Sequence, residues 1–109
     1  MSRAELEAEF ASDQPERILN ALIAAFYTEP ADWVETRCYA CASHSSAVAR
    51  RGAAIVLGNI GCSSGLKDLS RAVMVLETLR EDEDAQVKMQ AEDSLNWVLD
   101  LSRKRSQLQ

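Results

Sequence analysis

With 109 residues, 47% of them hydrophobic and only 6% aromatic, the chain has room for one domain with a real core but not for two. Ala and Leu dominate, prolines are confined to Pro15 and Pro30, and β-branched runs are nearly absent, which excludes an all-β fold. The net charge of −5 is concentrated at the front, where residues 1–35 carry two bases against eight acids; an acidic chain repels phosphate backbones, so nucleic acid is not an expected ligand.

Punctuation residues divide the chain into about six helices. Residues 3–11 read as a short acidic helix. Ser12 and Asp13 are candidate caps for a second, with Pro15 in its first turn, where a missing N–H is harmless. Ile18, Leu19, Leu22, Ile23 and Phe26 recur at helical spacing and form one broad apolar face, and Glu29-Pro30 ends it. A third helix starts near Pro30–Asp32 and carries Trp33, Val34, Cys38, Cys41 and Ala42 up to the polar break His44-Ser45-Ser46. A fourth runs from about Ala47 to Ile60, with Gly61 suited to its C-terminal cap. After the loop Cys62-Ser63-Ser64-Gly65, a fifth is predicted over 66–81, with Leu66, Leu69, Val73, Leu76 and Leu79 on one stripe. Asp84, in the acidic turn 81–84, caps a sixth helix from Ala85 to about Arg103. Arg103, Lys104 and Arg105 then fall where the helix dipole favours cations, and the last residues are expected to fray.

The fourth and sixth helices match at a fixed offset of 38 residues. Ala49 pairs with Val87, Arg50 with Lys88, Ala53 with Ala91, Leu57 with Leu95, Gly58 with Asn96 and Ile60 with Val98. One helical hairpin per period of this length reads as a stacked array, because a lone hairpin cannot bury both apolar faces. The run Ala49-Arg50-Arg51-Gly52-Ala53 through Leu57-Gly58-Asn59-Ile60-Gly61 resembles the second helix of a HEAT repeat, and Val87-Lys88-Met89-Gln90-Ala91 through Leu95-Asn96 repeats it more loosely. The resemblance implies an all-α fold, an α-α superhelix of HEAT-like hairpins, with capping helices in 1–28 and repeats over 30–61 and 64–103. The family often places Asp in the turn before the Arg; here the first such turn is His44-Ser45-Ser46, and only Asp82 or Asp84 supplies the acid, in the second. Asp32-Trp33-Val34, Arg37-Cys38 and His44, followed by the Leu-Gly-x-Ile-Gly helix, are also similar to small bacterial HEAT-like proteins, some of which resemble immunity proteins that neutralise polymorphic or contact-dependent toxins.

The second helix of each hairpin supplies the inner face of such an array. At 100° per residue, Ala49, Ala53, Val56, Leu57 and Ile60 share the core side of the fourth helix. The opposite side then carries Val48, Arg51, Ile55, Gly58 and Asn59, and in the sixth helix Gln86, Met89, Asp93, Asn96, Trp97 and Asp100. Ile55, Met89 and Trp97 are large apolar groups where a solvated helix shows Lys or Glu. Set beside Arg51, Asn59, Asp93, Asn96 and Asp100, they have the anchor-and-rim composition of a protein interface. A homodimer, or packing of Trp97 on the chain's own Leu101 or Leu108, accounts for the same pattern.

The acidic residues Glu5, Glu7, Glu9, Asp13 and Glu16 form a second candidate surface, suited either to solvation or to steering a basic toxin domain. Cys38-x-x-Cys41 with His44 one step on has zinc-like and redox-like spacing. It lacks a second ligand pair, and neither thiol sits at a helix start, so core packing is the expectation, with no metal or cofactor. A single histidine removes most acid–base and nucleophilic schemes, and no phosphate loop is present, so no enzyme activity is expected. Three cysteines, no apolar run long enough to span a membrane and no signal peptide point to a reducing cytoplasm. The sequence therefore predicts a protein-binding module. The leading expectation is an inhibitor that sterically occludes a partner toxin, as an immunity protein does; the alternative is a small scaffold or assembly subunit with no inhibitory role.

Overall fold

A helix start leaves backbone N–H groups without partners, and most of the turns in this chain contain a side chain that takes one. The computed structural model describes residues 1–107, with side chains through Asp100. The helices are α1 (Arg3–Ala11), α2 (Pro15–Thr28), α3 (Ala31–Cys41), α4 (Ala47–Cys62), α5 (Leu69–Arg80) and α6 (Ala85–Gln107), with no strand among the described residues. Ser2 and Glu5 form a reciprocal capping box on α1. Ser46 accepts the Val48 N–H to open α4, Asp68 accepts the Arg71 N–H to open α5, and Asp84 accepts the N–H groups of Gln86 and Val87 to open α6.

Three expected boundaries are corrected. Neither Ser12 nor Asp13 caps α2: Gln14 occupies that position without a side-chain bond and Pro15 follows it. Ser12 instead folds back to the Glu9 carbonyl at 2.6 Å, and Asp13 takes the left-handed conformation (φ 56°) that reverses the chain. Gly61 does not terminate α4. It lies inside the helix, where an added Cβ would stand 2.9 Å from Val98 Cγ2, so its missing side chain serves packing. Gly65 (φ 86°) performs the reversal, its N–H returning to the Ile60 carbonyl at 2.8 Å. Finally, α5 starts at Leu69 rather than 66, because Asp68 is its cap; Leu66 stays in the loop and Leu69 is exposed, leaving Ala72, Leu76 and Leu79 as the buried stripe.

The even-numbered helices form a row, α2–α4–α6, and the odd-numbered helices back it. α4 is the central element, packed on α2, α3 and α6, while α5 packs chiefly on α6. The molecule measures 43 × 31 × 16 Å between Cα atoms, a slab two helices thick at ordinary interhelix spacing. Small residues make this possible. Ala49, Gly52, Ala53, Ala54, Gly58 and Gly61 of α4 are all buried. Gly52 receives Leu19 and Leu22 from α2, and Gly58 lies directly under Ser94 of α6. Leu6, Leu22, Leu57, Ile60 and Leu76 fill the larger spaces, each contributing on the order of 1.5–3 kcal/mol by burial.

The 38-residue offset holds at the level of individual hydrogen bonds. His44 Nδ1 accepts the Ser46 N–H as Asp82 Oδ1 accepts the Asp84 N–H, and Ser46 caps α4 as Asp84 caps α6. Asp82 also receives Arg50 in a two-pronged ion pair at 2.8 and 3.1 Å, while the remaining Arg50 nitrogen donates to the His44 and Ser45 carbonyls. One mostly buried guanidinium thus ties the α3–α4 turn to the α5–α6 turn. In the first turn His44 fills the acid's position and its Nε2 meets Asp13 at 2.8 Å, tying that turn to α1–α2.

Candidate partner-binding face

The face proposed from sequence is assembled from two helices that run side by side. They pack closely at Gly58 and Ser94, where Ser94 Oγ donates to the Ala54 carbonyl at 2.8 Å. Gly58 is therefore buried in the α4–α6 seam and does not belong to the open face, contrary to its expected placement. Its position on the helical wheel is correct, but the next helix covers it.

The other residues divide by exposure. Trp97 is 49% exposed and Met89 62% exposed on α6, and Asp93, Asn96 and Asp100 are exposed with them. Arg51, Ile55 and Asn59 of α4 are half-buried, because α4 has neighbours on both sides. Arg51 Nη1 donates to Gln86 Oε1, which joins the two halves of the face across the seam. Asn96 stands at the 38-residue equivalent of Gly58, so it points onward from α6, away from α4, and marks the edge of the face rather than its centre. Side chains of Leu101 and Leu108, the expected internal partners of Trp97, lie outside the described residues.

Sequence reasoning missed Tyr27, at 78% the most exposed large hydrophobic among the described residues. Tyr27 and Ile23, which is 39% exposed, lie off the buried stripe of α2 formed by Ile18, Ala21, Leu22 and Ala25. Ile23 continues the apolar run of α2, which predicts core, but it is partly exposed. The signal for Tyr27 was its position one residue past Phe26, outside that stripe; the two rings now meet edge to face at 5.1 Å.

Four of the five acids proposed as a second surface, all but Glu16, are engaged within the chain. Glu7 meets Arg37 at 2.6 Å, Glu9 meets Arg17 at 2.6 Å, Asp13 meets His44 and Glu5 belongs to the α1 cap. The Glu9 carboxyl is held below its usual range, chiefly by the Arg17 hydrogen bond. Arg3 and Arg37 also lie over the Trp33 ring at 4.9 and 4.8 Å, and the first of these contacts links α1 to α3. These carboxylates are structural fasteners more than a free acidic patch.

Cys38 and Cys41 are buried and unbridged. Burial pushes the Cys38 thiol well up, and that of Cys41 up to about 11, the opposite of an activated thiol. Both His44 nitrogens are occupied, by the Ser46 N–H and by Asp13, so His44 is not turned to the cysteines as a third ligand. Among the described residues no three His, Cys, Asp or Glu side chains converge for a metal.

Comparison with known proteins returns no matching family, no matching curated protein and no matching solved structure.

Proposed function

We propose that the chain is a protein-binding module whose contact surface is the α4–α6 face. The observation that carries this reading is the exposure of Trp97 and Met89 beside Ile55, within a rim of Arg51, Asn59, Asp93 and Asp100. Large apolar groups held on rigid helices, flanked by polar groups, supply the anchors from which most interface energy derives. Inhibition of a partner toxin by occlusion of its active site remains our preferred role, on the strength of the sequence resemblance to immunity proteins. A scaffold role uses the same face without inhibition. Electrostatic steering by the N-terminal acids is not part of this reading, since most of them are paired within the chain. A reducing cytoplasm suits its unbridged cysteines.

The experiment is affinity capture from native lysate with the wild type and W97A, followed by an activity assay of the captured protein at equimolar ratio, with melting and sedimentation of both forms. Loss of capture by W97A at unchanged melting temperature supports the face, and abolished partner activity supports inhibition. A large fall in the melting temperature of W97A places Trp97 in the core and refutes the reading. Concentration-dependent dimers that W97A dissociates reassign the face to a second copy of the chain.

A further inference from the structure

His44 stands where the second turn has Asp82, and the two side chains play the same part by different chemistry. Asp82 Oδ1 accepts the Asp84 N–H at 2.9 Å, and His44 Nδ1 accepts the Ser46 N–H at 2.9 Å. Each bond holds the residue that caps the following helix, Asp84 through its Oδ1 on α6 and Ser46 through its Oγ on α4. A carboxylate keeps its acceptor oxygens at any pH above its own titration. An imidazole keeps an acceptor only while one ring nitrogen carries no proton.

The geometry assigns the tautomer. A backbone N–H can only donate, so Nδ1 holds the lone pair, and the ring proton sits on Nε2, which donates to Asp13 Oδ1 at 2.8 Å. A second proton must go to Nδ1, where it meets the Ser46 N–H hydrogen to hydrogen. Turning the ring over brings no relief, because both nitrogens of the cation are donors.

The charged groups around the ring pull in both directions. From the α1–α2 turn, Asp13 favours the cation, but its side chain is 85% exposed, and solvated pairs of this kind contribute little. From α4, the Arg50 guanidinium donates to the carbonyl of His44 itself and carries a like charge, answered by Asp82 from the α5–α6 turn. Glu7 of α1 and Arg37 and Cys41 of α3 line the hollow that His44 also lines. Glu7 and Arg37 pair with each other, and burial keeps the Cys41 thiol protonated.

We propose that the α3–α4 turn is a proton-operated clasp: neutral His44 holds Ser46 at the start of α4, and the imidazolium releases Ser46 while keeping Asp13. The first turn of α4, with Val48 and Arg51, then loosens, whereas the start of α6 does not. The Asp82 carboxyl is held below its ordinary range by its Arg50 hydrogen bond, so the second turn stays closed through the range in which an imidazole charges. The inference does not rest on the α4–α6 reading.

The test is 15N NMR of the full chain between about pH 8 and about pH 5, on either side of the ordinary imidazole value near 6.5. His44 is the single histidine, so its ring nitrogens are read without ambiguity. At the upper end Nδ1 should be bare and Nε2 protonated. As the ring charges, the Ser46 amide resonance should move with the same midpoint. Its protection from exchange, corrected for the intrinsic pH dependence, should fall roughly fivefold or more, the value of one such bond. Asp84 should keep its protection over the same range. In H44N a neutral Oδ1 can accept the Ser46 N–H as Asp82 accepts that of Asp84, so Ser46 should stay protected at both ends. A proton on Nδ1 at the upper end, a ring still neutral at the lower end, Ser46 protection that survives charging, an equal loss at Asp84, or the same loss in H44N would each overturn the proposal. All but the last are read on the unaltered chain, independently of how well H44N folds.

Discussion

The α4–α6 seam can be tested by adding a single methyl group. In G58A the new carbon would stand 2.4 Å from Ser94 Oγ, 2.8 Å from Ser94 Cβ and 3.3 Å from Ser94 Cα. Ordinary carbon contacts sit near 3.5–4.0 Å, so the helices must separate by about an ångström or Ser94 must swing away from the Ala54 carbonyl. Overpacking of this kind costs about 1–3 kcal/mol, and the lost hydrogen bond about 1 kcal/mol more. Alanine regains about 1 kcal/mol of helix propensity over glycine. The net expectation is a destabilisation of about 1–3 kcal/mol, read from urea unfolding followed at 222 nm, with a melting temperature lower by roughly 5–15 °C. S94G removes the two nearest atoms, so G58A and S94G combined should be more stable than the sum of the single changes by about 1–2 kcal/mol. A G58A protein more stable than wild type, or a strictly additive cycle, would mean that the helices do not approach this closely and would refute the reasoning.

Three other outcomes follow from the polar network. The buried Glu35 carboxylate accepts the Lys67 N–H, the Asp68 N–H and the Tyr39 hydroxyl. In E35Q one amide N–H₂ replaces an acceptor that faces three donors, which should cost about 2–3 kcal/mol and speed hydrogen exchange at Lys67 and Asp68; unchanged exchange there would count against these bonds. The Asp82 carboxyl is held below its ordinary range first by its Arg50 hydrogen bond. Its stabilising contribution is therefore complete above the unfolded value near 4 and is lost as pH falls through the lowered folded value. D82N should accordingly lose about 2 kcal/mol at neutral pH and show a shallower stability slope below about pH 4; identical acid slopes in the two proteins would refute the pairing. Of the three cysteines, Cys62 alone is exposed, so a chromogenic disulfide reagent at neutral pH should titrate one thiol per chain quickly and the other two only at the rate of unfolding. Three fast thiols would place Cys38 and Cys41 outside the core.

The sequence revealed elements and period more readily than contacts. Helix order, the Asp84 cap and the Ala53/Ala91 core positions were legible because each follows from local chemistry or 3.6-residue spacing. What the spacing could not show was which side of α4 the neighbouring helix covers. Gly58 and Ile55 both lie off the core stripe of α4, yet Ser94 packs on the first, while the second stays half open. The loop glycines were confused for a similar reason: Gly61 and Gly65 are both credible helix terminators until Val98 is seen to occupy the space beside the first. Glu35 was invisible, since a lone mid-helix glutamate looks like surface charge, and its partners are backbone groups some thirty residues away. Exposure was easier to read on α6, where Met89, Asp93 and Trp97 stay open, than on α2, where Ile23 and Tyr27 were not recognised as exposed.

The 38-residue register also governs how far the row of helices can grow. The surface of α4 that receives α6 is made of Ala54, Gly58 and Gly61, whose small size admits Ser94 and Val98 at close range. The same three positions on α6 hold Glu92, Asn96 and Leu99. A further helix brought up in the same geometry would strike two long polar side chains and a leucine where it needs bare backbone. Side-chain volume at three places thus keeps the far side of α6 from receiving a helix as α4 does, and shaving them to alanine and glycine is the change that would open it.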